Sequence, residues 1–392
     1  MHPDQLALLD DPDLDLLEGE LARGAPELPL LDRLRKKHTP EHSRVLLEQA
    51  LLNLKARQRG VFRTERRLAL NAEALEQASC WEVAAHRAEQ LHERAPAGLV
   101  LDLGCGAGGD SLELARLRPV LSIDLDPERV ALLAHNARQL ELTLETRQGD
   151  WLEMNLPEAA AAFVDPGRRQ NGRRIFDPEQ YQPPLSRVLQ LRAPLLCVKV
   201  APGIPDVSIP AEAETEFISH QGSCKECVLW IGVSSQPGLR RASVFVDGMW
   251  LSRTGNSSEQ LPVEPLQPGM WLHEPDPAMI RAHALGSLAE ELAAGLLDST
   301  LAYLVGPPDR RSPLAQSFEV IAQTTLRREA IQTALDEQGW GQLEIKKRGV
   351  DIEPEAYRKK LKIRGKNGPG VLVLTRVDGR HSALLCRRIR RS

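Results

Sequence analysis

Three acidic residues stand at matching places between Leu99 and Asp150, each at or just past the end of a short apolar or strand-like run. Asp102 precedes Gly104 by two residues in LVLDLGCGAGG, Asp124 follows Gly104 by twenty residues in PVLSIDLDPE, and Asp150 follows Gly149. Gly104, Gly106 and Gly108 let a backbone turn pass close to a bound adenosine-type ligand, and Asp124 sits where a carboxylate can accept both ribose hydroxyls. Asp102 can face a ligand's ammonium, and Asp150 can accept from an adenine amine. The spacing GxGxGG replaces the GxGxxG that a pyrophosphate needs, which disfavours a nicotinamide-dependent oxidoreductase.

A second group follows in AAAFVDPGRRQNGRR and LLCVKVAPG. Asp165-Pro166 falls at the end of a fourth apolar run and Lys199 at the end of a fifth, so both belong at the edge that holds the ligand crevice of a parallel sheet. Arg168, Arg169, Arg173 and Arg174 make a dense basic loop there. A guanidinium can stack on a base or bind phosphate, and Arg168 and Arg169, next to Asp165, are read as substrate contacts. Lys199 reads equally as a phosphate or proton-handling group and as a snorkelling surface lysine.

The elements that must position these residues follow from periodicity. Residues 26–95 carry apolar positions three and four apart, including LLEQALLNLKARQRG and ALEQASCWEVAAHRAEQLHERA, and predict helices. After Pro96 the runs GLVLDL, PVLSIDL, LTLETRQ, AAAFVD and APLLCVKV alternate with helical or loop segments, which predicts a parallel sheet covered by helices. ETEFISH, ECVLWIGV and RASVFVDG then predict antiparallel strands closing one edge. Pro and Gly cluster through LPVEPLQPGMWLHEPDP, read as a linker, and IRAHALGSLAEELAAGLL predicts a further helix. The boundaries expected are an N-terminal helical domain over 1–95, a ligand-binding domain over 96–255, a linker over 256–275 and a small basic α+β domain over 276–392.

With 392 residues, 27% charged and 42% hydrophobic, the chain is long enough for two or three domains and excludes collagen, disorder and coiled coil. No window approaches 18 consecutive apolar residues and the start is acidic, so no membrane span is expected and the protein is read as cytosolic. The net charge of −4 hides a segregation: residues 340–392 hold 15 Lys+Arg against 5 Asp+Glu, and residues 33–67 hold 11 against 3. Both stretches offer phosphate-binding surface. Aromatics at 4% argue against a stacking platform for long single strands, so structured RNA read by shape and phosphate is the expected partner. Six scattered cysteines predict reduced thiols, and Cys224 with Cys227 reads as a pair in a turn, with no metal site expected.

The segment LDLGCGAGGDSLELA followed by IDLDPERVALLAHNA resembles the core of class I S-adenosylmethionine-dependent methyltransferases, and within them the trimethylguanosine synthase type of RNA guanine-N2 methyltransferase. The C-terminal run IKKRGVDIEPEAYRKKLKIRGKNGPGVLVLTRVDGRHSALLCRR resembles a THUMP-like domain. The resemblance implies an α/β fold with a Rossmann-like seven-stranded methyltransferase sheet and S-adenosyl-L-methionine as cofactor. It assigns Asp102, Gly104 and Gly106 to the methionine end, Asp124 with Leu125 to the ribose side, and Asp150 with Trp151 to the adenine. In amino-methyltransferases of that superfamily Asp165-Pro166 matches a motif whose carboxylate and Pro carbonyl hold a planar amine toward the methyl. Here Gly167 replaces the second Pro and Arg168 the aromatic that stacks on a base. The reading is methyl transfer to a nitrogen of a base in structured RNA. The alternatives are a protein or small-molecule methyltransferase and a non-catalytic RNA-binding protein on the same scaffold.

Overall fold

In this computed structural model residues 3–170, 173–267 and 269–390 are described, residues 3, 169, 170, 173 and 174 by their backbone. The chain divides into two units, residues 1–214 with 227–238 and residues 215–226 with 239–392.

The first unit opens on a 3-10 turn and the helices α1 (Asp13–Ala22), α2 (Glu27–Leu34), α3 (Pro40–Gln58), α4 (Ala72–Gln77) and α5 (Trp81–Arg94). Thr39 caps α3 ahead of Pro40, and Asn71 caps α4 through the N–H groups of Glu73 and Ala74. Leu14, Leu17, Leu21, Leu30, Leu34 and Leu46 bury one stripe of α1–α3 together with Leu132. The single helix expected over ALEQASCWEVAAHRAEQLHERA is broken at residues 78–80, where Ala78 and Cys80 are extended. That break frees the Ser79 hydroxyl for a role described below.

Between α3 and α4 the backbone of residues 68–70 is held by three buried amides. Asn53 and Gln49 of α3 clamp Leu68 and Leu70, each accepting from the N–H and donating to the C=O. Asn136 does the same for Ala69, at 2.7 and 2.9 Å.

The parallel sheet of this unit runs β1 (Val100–Leu103), α6 (Gly109–Ala115), β2 (Val120–Asp124), α7 (Pro127–Gln139), β3 (Glu145–Gln148), β4 (Ala161–Val164) and, after other elements, β7 (Leu195–Val200). The intervening chain holds a two-residue-per-strand hairpin, β5 (Arg169–Gln170) with β6 (Arg173–Arg174), and the short α8 (Leu185–Val188). The strand order is β7-β4-β1-β2-β3, all parallel. β1, β2, β4 and β7 are buried along their whole length, as strands covered on both faces must be. Strand succession reverses direction across the sheet between β1 and β4, so their carboxyl ends open a crevice.

β8 (Glu214–His220) and β9 (Ser223–Gly232) follow, and the second half of β9 pairs antiparallel with β7. Six strands of this sheet, β9, β7, β4, β1, β2 and β3, fall in the first unit, while β8, β10 (Arg240–Val246) and β11 (Met249–Gly255) fall with the second unit apart from Glu214. β10 lies parallel to β8, not antiparallel, since two chain reversals separate them, and β11 turns back antiparallel on β10. Cys224 and Cys227 lie within β9 and not in a turn; their odd spacing sends them to opposite faces of the strand, which rules out joint ligation of one metal.

The rest of the second unit is a seven-stranded sheet, β12 (Trp271–Pro275), β13 (Gly295–Asp298), β14 (Leu301–Gly306), β15 (Ala315–Thr325), β16 (Trp340–Lys347), β17 (Asn367–Val377) and β18 (Arg380–Arg388), in the order β13-β14-β12-β15-β18-β17-β16. Its helices are α9 (Pro277–Arg281), α10 (Leu285–Leu292), α11 (Arg328–Gln338) and α12 (Pro354–Arg358). The helix read over IRAHALGSLAEELAAGLL is thus two short helices followed by the start of β13. One sheet face packs Leu272, Tyr303, Phe318, Val373 and Leu384; the other packs Leu372, Leu374 and Leu385 under Ile331 and Leu335 of α11. Among the described residues no helix is long and apolar enough to cross a membrane.

The amide clamp gives a stability test. Asn136→Ala leaves the buried N–H and C=O of Ala69 without partners, each worth about 1–3 kcal/mol. Urea denaturation should show a loss of about 2–4 kcal/mol; a loss under about 0.5 kcal/mol would show that the clamp does not hold residues 68–70.

Candidate functional site

The crevice at the carboxyl ends of β1, β2 and β4 gathers four carboxylates. Asp102 of β1 is fully buried and its Oδ2 accepts from Ser111 Oγ on α6, which in turn accepts from Ser122 Oγ of β2 at 3.0 Å. Its Oδ1 is buried and has no partner among the described residues. Burial, reinforced by the charges of Asp110, Asp165 and Asp124, pushes the Asp102 carboxyl up to about 8. A bare buried oxygen of this kind is matched by a ligand's cationic N–H donor.

The turn after β1 takes left-handed φ at Gly104 (91°), Gly106 (55°) and Gly108 (80°), conformations that side chains resist. Gly108 also needs its missing Cβ, which would meet Leu133 Cδ1 of α7 at 2.6 Å. Asp124 at the end of β2 is buried and tied by backbone donors: Oδ2 accepts from Gly106 N at 2.9 Å and Oδ1 from Asp126 N at 3.0 Å. Each oxygen keeps a second lone pair, so the carboxylate is oriented by the loop and still able to accept a diol. Its neighbour Leu125 is 67% exposed, an apolar surface beside that carboxylate.

At the end of β3, Gly149 N donates to Asp124 O at 3.0 Å, which joins the second and third strand ends. Asp150 is exposed and its Oδ1 accepts from Leu152 N at 3.0 Å, while Trp151 is buried. Asp150 thus caps a turn as well as facing outward.

The fourth strand end carries Asp165, whose Oδ2 accepts from Lys199 Nζ of β7 at 2.5 Å. Burial pushes this carboxyl up, but Lys199 and then Arg168 outweigh it and hold the group below the usual carboxylate range. Lys199 itself is 3% exposed, which excludes the snorkelling reading, and it donates also to Ser79 Oγ at 3.2 Å. Arg87 of α5, equally buried, bonds Asp110 through Nε at 3.1 Å and lies 5.5 Å over the Phe163 ring. Its NH2 reaches the same Ser79 Oγ at 3.5 Å.

Pro166 is buried, Arg168 half-buried, and the Arg169, Arg173 and Arg174 side chains lie outside the described residues. Sequence reading placed Asp102, Gly104, Gly106, Asp124, Asp165 and Lys199 around this crevice but missed Ser79, Arg87 and Asp110. The one available signal was the pair Ser79-Cys80, both of lower helix propensity, inside an otherwise helical stretch.

The arrangement can seat an adenosine-type ligand with a cationic group against Asp102 and present an ionised carboxylate to a second reactant. Elsewhere, Asp11, Asp13 and His38 bring ligand-type atoms within 4.8 Å of one another, with Lys37 Nζ on Asp13 Oδ1 at 2.7 Å; the cation there is a lysine.

Comparisons with known proteins give the chain's family. A family model described as methyltransferase domain matches residues 96–164, and one described as THUMP domain-like matches residues 315–388. In two strains of Mycobacterium tuberculosis, a protein named as an uncharacterized S-adenosylmethionine-dependent methyltransferase is 34% identical over 314 residues, 78% of this chain and 84% of the relative. A crystal structure of a candidate methyltransferase from Porphyromonas gingivalis superposes with a TM-score of 0.75 at 16% identity, over 97% of this chain and 99% of that one, a likeness of fold.

Asp102 also makes a stability prediction. Its folded value of about 8 exceeds the unfolded aspartate value of about 3.9, so the folded state holds a proton the unfolded chain has released between those pH values. Its contribution to stability is present below about pH 4 and is lost as pH rises toward 8. Asp102→Asn, which cannot ionise, should therefore melt higher than the parent at pH 7, with a difference that grows from pH 4 to 8 and then levels. A pH-independent difference in ligand-free melting temperature would show that Asp102 is not the strained group.

Proposed function

Because this chain belongs to the S-adenosylmethionine-dependent methyltransferases, we propose that it transfers a methyl group to a nitrogen of a base in structured RNA. The residues present suit the cofactor on a point of their own chemistry: Asp102 Oδ1 is buried without a partner and faces a cation requirement, while Gly104 and Gly106 form a side-chain-free turn beside it. In this proposal Asp102, Gly104 and Gly106 hold the methionine end, Asp124 and Leu125 the ribose side, and Asp150 with Trp151 the adenine. Bound there, S-adenosylmethionine supplies a methyl already activated by its sulfonium charge.

Positioning is then the chain's task. Asp165 is kept ionised by Lys199, so it accepts hydrogen bonds and does not donate them. Its Oδ2 is occupied by Lys199, which leaves Oδ1 and the Pro166 carbonyl to accept from a planar amine and aim its lone pair at the methyl. Arg168 and Arg169 contact the substrate. The working division takes residues 1–95 as helical domain and 96–255 as methyltransferase domain; the linker read over 256–275 ends before Trp271, because Trp271–Pro275 is β12, paired on both sides in the second unit's sheet, and the THUMP-like domain runs on to 392.

The observation that carries the RNA part is a run of free cations. Lys359, Lys360, Lys362, Arg364 and Lys366 are all exposed or half-buried within eight positions of the THUMP-like region, and none forms an ion pair among the described residues. The N-terminal basic stretch behaves differently. Arg33, Lys37, Lys55, Arg57, Arg66 and Arg67 are each paired with a carboxylate, most of them on or beside α1, so residues 33–67 present far less positive surface than their sequence charge. The RNA grip is assigned to the C-terminal segment.

The test is transfer of labelled methyl to total RNA from a strain lacking the gene, followed by mass spectrometry of nucleosides. Label in one methylated base supports the proposal; label confined to protein or small molecules replaces it with the alternative acceptors.

The same residues set two further expectations. Asp165→Ala should lower kcat on the order of 10²-fold or more while leaving cofactor affinity near the parent value, since the hydrogen bond forms with the acceptor. Parental turnover would remove Asp165 from the mechanism. Replacing Lys359, Lys360, Lys362 and Lys366 by Gln should flatten the plot of log K against log salt for RNA by roughly one unit for every phosphate that is no longer neutralised. Residues 340–388 supply three core strands, so this charge removal is the suitable change and truncation is not. Filter binding that gives the parental slope would exclude the segment from the grip.

A further inference from the structure

Arg168 stands where an acceptor motif would place an aromatic ring, and rings are scarce in the chain at 4% aromatics. Phe176 is nevertheless 61% exposed, the one aromatic among the strongly exposed large apolar side chains of the described residues. A lone exposed apolar residue is ordinary. The surroundings of this one are not, because two connections bring it back to the reaction corner.

The first is the arginine hairpin. Arg169 pairs with Arg174, and Ile175 N donates to Arg168 O at 2.9 Å, so the chain that leaves Asp165 returns beside Arg168 before it reaches Phe176. The second is β7. The Phe176 ring lies against Gly203, three residues past the end of the strand whose Lys199 holds Asp165 at 2.5 Å. A Cβ on Gly203 would sit 3.6 Å from Cδ1 and 3.7 Å from Cε1 of the ring. Gly203 is not among the glycines of positive φ, so its backbone does not require glycine. The ring therefore lies beside bare backbone on the Gly203 side.

We propose that Phe176 is a substrate-binding residue whose ring stacks on the target base, supplying from the far side of the hairpin the aromatic surface that Arg168 displaces from the usual place. This rests on the RNA-base reading above. A ring that touches Gly203 and is 61% exposed has surface to offer a base, since every base has a π-face and gains from an aromatic partner. The fixed ring would limit the base's rotation while Asp165 Oδ1 and the Pro166 carbonyl hold its amine in plane. Arg168, half-buried next to Asp165, is left for the phosphate of the same nucleotide.

The experiment measures methyl transfer to total RNA from a strain lacking the gene, at limiting RNA, for the parent and for Phe176→Ala, Phe176→Leu and Phe176→Tyr. Stacking predicts a drop in kcat/KM for RNA of about 10- to 100-fold in the Ala and Leu variants, carried mostly by KM, and near-parental values for Tyr. Cofactor affinity by calorimetry and the melting temperature should stay at the parental values in all three. An Ala variant with parental kcat/KM, or a Leu variant equal to Tyr, overturns the stacking role and leaves the RNA reading intact. A parent enzyme that labels no RNA base overturns the reading and the stacking role with it.

Discussion

Burial of the Asp102 carboxyl beside Asp110, Asp124 and Asp165 is the constraint around which the crevice is built. Parallel strands deliver their ends to one edge, and this sequence puts acids at three of those ends and a fourth on the helix that follows. Each is answered differently. Asp110 has the Arg87 guanidinium, Asp165 has Lys199, and Asp124 has the backbone donors of Gly106 and Asp126. Asp102 has Ser111, and its other oxygen has no partner among the described residues. The cationic deficit of the site is therefore localised on one oxygen, and the protein without ligand bears it as a raised carboxyl. A buried unpaired polar group of this kind costs folding stability. Such a cost is retained where a ligand, and not the protein, completes the pair.

The same layout explains what was legible in the sequence. Glycines and acids at strand ends can be read because a parallel sheet with short loops fixes their neighbourhood locally: Asp102, Gly104 and Gly106 lie within five residues, and Asp124 joins them through adjacent strands. Ser79, Arg87 and Asp110 cannot be read in that way. Ser79 meets Lys199 across 120 positions of sequence, and only the packing of α5 on α6 and against β7 brings them together. The break between α4 and α5 was hidden because apolar spacing continues through it. Propensity at Ala78-Ser79-Cys80 is too weak to override that pattern, and tertiary hydrogen bonds decide it.

Charge patterning misled in one half and held its sense in the other. Counting residues 33–67 alone gives a basic stretch, yet α1 contributes Asp13, Asp15, Glu18 and Glu20, and the fold lays those acids on the same cations. Near-surface ion pairs of this sort add little stability, but they do cancel field. In residues 358–366 no acid is interleaved: Glu353 and Glu355 precede the run, and its lysines stay at the surface. The difference between the two stretches is a property of what packs beside them, so net charge over a window identifies a candidate surface and pairing decides it.

Methyl transfer from a sulfonium places an unusual demand on the acceptor corner, because the donor is already cationic and the acceptor must stay uncharged and oriented. A strong base would be wasted, and a protonated Asp165 would donate a hydrogen bond where one must be accepted. In the proposed reaction the ion pair with Lys199 serves both points: the charge of Lys199 holds the carboxyl below its usual range, and its ammonium takes one lone pair of Oδ2, so that Oδ1 is the less engaged oxygen for the acceptor amine. Ser79 then fixes the lysine, and the Arg87 bond to the same hydroxyl ties it to α5. The pair is thus less a source of stability than of orientation. Burial of two charges offsets most of their attraction. What the pairing leaves is a carboxylate held below its usual range, with Oδ1 less engaged than Oδ2, at the carboxyl end of β4.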